Sequence, residues 1–155
     1  MEKHSVTKNG VSIYQYRNPA SHGFFISLFL RSGSMFESDT DNGITHFFEH
    51  LAIRNVHKVM NGELYRELDR HGIEFNASTY YEMVQFYVSG ARENFAFGAR
   101  VISELLSPVI LSSSEIDTER RRIKAEIRES DDKSSLSVFS SGIVYEGTNL
   151  KNPIT

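Results

Sequence analysis

The sequence predicts an α+β domain two layers thick, in which a mainly antiparallel sheet carries helices packed on one face. Three observations lead there. The first thirty residues read as strands, the segments from Gly43 onward change to a helical period, and two strand-like runs at 73–79 and 83–89 lie close enough to pair as a hairpin.

In order along the chain, residues 11–17 alternate, with Val11, Ile13 and Gln15 on one side and Ser12, Tyr14 and Tyr16 on the other, after the turn signal Asn9-Gly10. Residues 24–30 form a continuous apolar run bounded by Gly23 and Gly33, which predicts a strand buried on both faces. Asp41 or Asn42 is placed to cap a helix over 43–54. Asn61 is placed to cap a second helix, in which Leu64 and Leu68 lie one turn apart and His71-Gly72 supplies the stop. The hairpin follows, turning around residues 80–82. Phe95, Ala99, Ile102 and Leu106 then recur at helical spacing as far as Pro108. Ser112–Ser114 cap a long polar helix over 115–130, and Leu136, Phe139 and Ile143 predict one more.

No repeat, low-complexity tract or Pro/Gly-rich linker divides the 155 residues, so residues 1–155 are expected to form one domain. A chain of that length buries enough surface to fold without a disulfide or metal staple. The net charge of −3 gives no electrostatic footprint for nucleic acid or an anionic membrane, and Arg120-Arg121-Arg122 reads as a solvated helix face. With no cysteine, disulfide scaffolds, thiolate zinc sites and thiol catalysis are excluded, and a transition-metal site must use His, Asp and Glu. The longest apolar run, residues 24–30, is far short of the ~20 residues of a membrane span, and the first twenty residues hold no apolar signal-type stretch. A reducing, cytoplasmic location is the corresponding expectation.

The chemistry concentrates in His46-Phe47-Phe48-Glu49-His50. On a helix, positions i, i+3 and i+4 are neighbours, so His46, Glu49 and His50 share one side, while Ile44, Phe47, Phe48 and Leu51 share the other. The helix is expected to bury the apolar side and present the polar one. Two imidazoles one turn apart can share a Zn²⁺ ion, and a carboxylate between them can take a proton from bound water. Two histidines on a solvated helix are also a common surface arrangement, so this segment alone does not decide. Catalytic zinc sites use three protein ligands, and Glu126 is the candidate for the third. Ile116, Ile123 and Ile127 mark the buried stripe of its helix, with Glu119 and Glu126 together at the margin. A carboxylate there costs free energy unless paired or bound to a cation.

Further segments fall in a familiar order. Residues 33–37 (Gly-Ser-Met-Phe-Glu) and 42–45 (Asn-Gly-Ile-Thr) lead into His46–His50. Leu68-Asp69-Arg70-His71-Gly72 precedes Phe75-Asn76-Ala77-Ser78-Thr79, Glu119-Arg120 precedes Glu126, and Asn152-Pro153-Ile154 follows. This order resembles the inverted H-x-x-E-H metallopeptidases of family M16, which include pitrilysin, insulin-degrading enzyme and the mitochondrial processing peptidase. The resemblance implies the LuxS/MPP-like metallohydrolase fold and a Zn²⁺ cofactor held by His46, His50 and Glu126. It implies Glu49 as general base and Glu119 as an outer carboxylate that fixes the geometry. Asn76 and Ala77 would lie on an edge strand that binds an extended peptide substrate.

The same resemblance implies a second M16-type domain as partner, in the same longer chain or in a partner subunit, and allows a homo-oligomer. Residues 1–155 would be the N-terminal catalytic, zinc-binding domain, incomplete at its C-terminus and poorly active alone. The alternative is a non-catalytic structural or peptide-binding subunit, against which the intact His46, Glu49, His50 and Glu126 argue. One departure stands out: Ile53-Arg54-Asn55-Val56-His57 replaces the F-K-G-T-like segment that often follows the second histidine.

Overall fold

Val84, Phe86 and Val88 alternate along one strand and are fully enclosed, and that strand is the centre of the sheet. In the computed structural model of the chain, which describes residues 2–6 and 10–154, β1 (Glu2–Val6) and β2 (Ser12–Tyr16) form a separate antiparallel hairpin. The main sheet has the order β3 (Gly23–Leu30), β5 (Val84–Ala91), β4 (Glu74–Thr79), with both outer strands antiparallel to β5. Register sets Ile26 and Phe75 opposite Val88, and Leu28 and Ala77 opposite Phe86. These residues share one face, which packs on helices α1 (Ile44–Val59), α2 (Leu64–His71) and α3 (Phe95–Glu104). Val56, Met60, Leu64, Leu68, Ile73 and Val101 complete the core. Each large side chain enclosed there contributes roughly 1.5–3 kcal/mol of transfer free energy. This is the α+β, two-layer, antiparallel arrangement expected, and among the described residues no helix is long and apolar enough to cross a membrane.

Several local expectations are corrected. β3 is buried on one face, not two: Phe25 and Phe29 point away from the helices and are exposed, and the Phe25 ring stacks on Tyr87 at 5.4 Å. A continuous apolar run shows that a strand avoids polar side chains, not that a layer covers each side. β1 had no apolar alternation to betray it, and Asn9 of the expected turn lies outside the described residues.

α1 differs most. Its N-cap is Gly43, in the left-handed region at φ 87°, rather than Asp41 or Asn42. The cap comes from Glu37, whose carboxylate accepts from the backbone N–H of Gly43 and of Thr45, both at 2.8 Å. The helix continues five residues past Arg54, because residues 55–59 contain neither Gly nor Pro to stop it. Its buried stripe is Thr45, Glu49, Ala52 and Val56, whereas Ile44 (56% exposed) and Phe48 (41%) face outward. Small side chains let the helix approach the sheet closely, and that outweighs burying the two bulky ones.

α2 starts after Glu63, with Asn61 left-handed at φ 55° and not capping, and ends as expected at Gly72, also left-handed. α3 ends at Glu104, short of Pro108, and its enclosed face is shifted from the expected one: Gly98 and Val101 are buried and Ile102 packs on the core as expected, while Phe95 and, beyond the helix, Leu106 are exposed. α4 (Ser113–Val144) is one helix where two were expected, opened by a capping box between Ser112 and Glu115. Leu136 belongs to residues 130–137, whose side chains are outside the described set. A 3₁₀ turn at Asn149–Lys151 brings the buried Asn152 back to donate its Nδ2 to the Glu37 carbonyl at 3.3 Å, beside the start of α1.

Candidate metal centre

α1 packs along α4, and their facing sides carry His46 and His50 on one helix and Glu119 and Glu126 on the other. His46 and His50, one turn apart on α1, turn their Nε2 atoms toward each other at 3.1 Å. Glu126 reaches them from α4, with Oε1 at 3.9 Å from His46 Nε2 and Oε2 at 3.7 Å from His50 Nε2. One donor atom from each of the three lies within 4.8 Å of the others. A tetrahedral ion with bonds of ~2.0–2.1 Å separates its ligand atoms by ~3.3 Å. The two Nε2 atoms, at 3.1 Å, are near that spacing, while the two Glu126 oxygens each approach a different imidazole at 3.7–3.9 Å and must close in slightly to share an ion. Two imidazoles with one carboxylate form a catalytic-type donor set.

The surroundings of His50 suit it to a cation. His50 is held below its usual pKa of 6.5, first by burial and next by the neighbouring His46 imidazole, so its neutral form is favoured. Glu119, one helical heptad before Glu126 and only 5% exposed, sits 3.8 Å from Nδ1 of His50. Arg54 and Arg122 flank that buried carboxylate at 3.9 Å each. Nδ1 of His46 is enclosed and has no hydrogen-bond partner.

Glu49 lies on the buried stripe of α1, 8% exposed, and accepts a 2.6 Å hydrogen bond from the Thr79 hydroxyl at the end of β4. It is not one of the three clustered donors, although its charge reaches His50, and its bonded oxygen faces the end of the edge strand. Asn76 and Ala77 lie on β4, which among the described residues pairs with β5 alone. The Ala77 N–H donates to Asn76 Oδ1 at 2.9 Å, while Asn76 Nδ2 reaches Tyr87 Oη at 3.4 Å on the sheet face away from the helices. Sequence reasoning missed Thr79 as the partner of Glu49 and Glu37 as the cap of the histidine helix. The first was accessible in principle, because period-two alternation places 75, 77 and 79 together on the helix-facing side.

Residues 13–155 match the family model described as Insulinase (Peptidase family M16). The chain belongs to peptidase family M16. An uncharacterized zinc protease of Rickettsia felis is 28% identical over 152 residues, covering 97% of this chain and 37% of that protein. The mitochondrial-processing peptidase subunit beta of Blastocladiella emersonii is 29% identical over 131 residues, covering 84% of this chain and 28% of that protein. The periplasmic protease PqqL from Escherichia coli superposes with a TM-score of 0.84 at 21% identity, over 99% of this chain and 18% of that one, a likeness of fold. The chain thus spans about a third of the length of the curated relatives it matches. In this M16 chain the histidine helix runs on through residues 53–57, where Asn55 is buried and ties it to the segment after α3, donating to the Pro108 carbonyl at 3.2 Å and accepting from Ile110 N–H at 2.9 Å.

Proposed function

We propose that this chain provides the metal-binding and proton-transferring part of a zinc-dependent metalloendopeptidase that cleaves peptides or unfolded segments. The observation that supports it is the convergence of His46, His50 and Glu126 from two helices far apart in sequence. These three residues would hold the ion, whose chemistry when bound is to lower the pKa of water toward ~7 and to polarise a scissile carbonyl. Two neutral imidazoles and one carboxylate leave a divalent ion with net positive charge.

Glu49 is the base. Thr79 occupies its Oε2, which leaves Oε1 to accept a proton from the attacking water and return it to the leaving amine. Glu119, 3.8 Å from Nδ1 of His50, is beyond hydrogen-bond reach there and acts on the ring through its charge, favouring the orientation in which Nε2 faces the cluster. The open edge of β4 around Asn76 and Ala77 receives the extended peptide by strand addition. A second M16-type domain, in a longer chain or a partner subunit, closes the site.

The test is metal content after zinc exposure and dialysis. The wild-type chain should retain one equivalent, and His46→Ala and Glu126→Ala should retain far less. Equal zinc in wild type and His46→Ala overturns the reading.

A further inference from the structure

Next to the metal cluster, on the His50 side, lies a cleft of about 220 Å³ lined by His50, Ile53, Arg54, His57, Tyr65, Glu119 and Arg122. Its charges do not balance. Glu119 is the single carboxylate among them, while Arg54 and Arg122 bring two permanent cations. Both guanidiniums stand 3.9 Å from Glu119, too long for hydrogen bonds, so that carboxylate offsets charge without consuming their donors. Glu119 is buried, whereas Arg54 is 43% and Arg122 72% exposed, so the cation surplus lies at the mouth and the anion at the floor. Nδ1 of His57 is enclosed there without a partner, and the His57 ring lies 5.4 Å from that of Tyr65.

We propose that this cleft is a specificity site for an acidic side chain of the bound peptide, with Arg54 and Arg122 as the residues that select it. The proposal rests on the peptidase reading above and names its substrate class. Guanidinium forks match carboxylates in shape, and a charge-assisted hydrogen bond in a partly enclosed site is stronger than a neutral one. His50 belongs both to the cluster and to the cleft wall, so the cleft adjoins the metal site directly. The Ile53 and Tyr65 side chains supply an apolar wall against which the methylenes of a Glu can pack. Neighbouring cationic charge from a loaded metal cluster acts in the same direction.

The experiment uses extended peptides with both ends blocked, in which one residue at a time is Glu or Gln. Binding is measured by fluorescence anisotropy to the zinc-free chain and to zinc-loaded Glu49→Gln. At one position the Glu peptide should bind about tenfold more tightly than its Gln twin, the size expected of one charge-assisted contact. That ratio should fall to about one in the Arg54→Gln/Arg122→Gln double variant and should shrink in wild type as salt is raised. Arg122→Gln alone, at an exposed position, should lower the ratio even where the double variant folds poorly. The proposal is overturned if no position distinguishes Glu from Gln, or if the ratio survives in Arg122→Gln and is insensitive to salt. Zinc content of the same preparations separates the two ideas. A chain that binds no zinc but keeps the preference overturns only the peptidase reading, and one that binds zinc without preference overturns only the acidic cleft.

Discussion

The hydroxyl of Thr79 donates to Oε2 of Glu49 across 2.6 Å, joining the end of the edge strand β4 to the buried face of the histidine helix α1. A carboxylate only 8% exposed needs such a donor, because an enclosed charge left unpaired is costly. Thr79→Val keeps the shape and removes the donor. It should destabilise the fold by about 1–3 kcal/mol in urea denaturation. Thr79→Ser restores a hydroxyl and should recover most of that loss, and neither variant should change zinc content.

Glu49 and the two histidines should separate cleanly in metal and cleavage assays. Glu49→Gln keeps an acceptor for Thr79 and lies outside the cluster of donors, so it should retain zinc while abolishing peptide cleavage. His50→Ala removes a donor and should lose both. Zinc lost from Glu49→Gln would contradict the role given to that residue.

The start of the same helix depends on a residue well before it. Glu37 accepts the N–H groups of Gly43 and Thr45 at the N-terminus of α1, three residues and one residue ahead of His46, and its carboxylate also faces the positive end of the helix dipole. Glu37→Ala should cost about 1–2 kcal/mol as a lost cap. Hydrogen exchange at the amides of Gly43 and Thr45 should accelerate more than exchange in β5. Equal acceleration at both places would show a global effect and no cap.

How far these relationships were legible differs residue by residue. His46 and His50 were readable as one helix face because i, i+4 spacing is a local pattern, whereas a carboxylate at the rim of a buried stripe is common and Glu126 was singled out mainly by the order of the family segments. Gly72 and Ser112 were readable because left-handed stops and capping boxes are written in a few adjacent residues. The buried side of α1 was not. Composition favoured Ile44 and Phe48, and only the close approach of Thr45, Ala52 and Val56 to the sheet reverses that preference. The same holds for Phe25 and Phe29 on β3, whose exposure depends on where the helices pack and not on the strand itself. Glu37 reaches across six and eight residues to its partners, a span for which no short pattern exists.

Acid should weaken the junction between α1 and α4. The Glu115 carboxyl is lowered from its usual 4.5 to about 2, first by the hydrogen bond from Lys58 and then by the Ser112 backbone and hydroxyl. Its folded-state pKa is depressed, so folding favours the ionised form. The stabilisation is complete above pH 4.5 and is lost as pH falls toward 2. Melting temperatures of wild type and Glu115→Gln should therefore differ most near neutrality and converge at the acid end of that window. A difference that grows on acidification would have the wrong sign.

Gly98 sits where helix propensity and packing disagree. Alanine is favoured over glycine by about 1 kcal/mol in a helix interior, so on propensity alone Gly98→Ala should stabilise α3. A Cβ at that position would lie 2.5 Å from Cζ and 2.6 Å from Cε2 of Phe24, whose ring packs into the core between β3 and α3. The ring also meets Phe95 edge-on at 5.6 Å, so moving it disturbs a second contact. Overpacking of this kind costs about 1–3 kcal/mol, more than the propensity gain. Gly98→Ala should thus lower stability in urea denaturation, and Phe24→Leu in the same chain should recover part of the loss by vacating the ring's outer edge. If Gly98→Ala alone is stabilising, the close approach of α3 to β3 is looser than the contacts indicate, and the rotation of α3 away from Phe95 and Leu106 would need another cause.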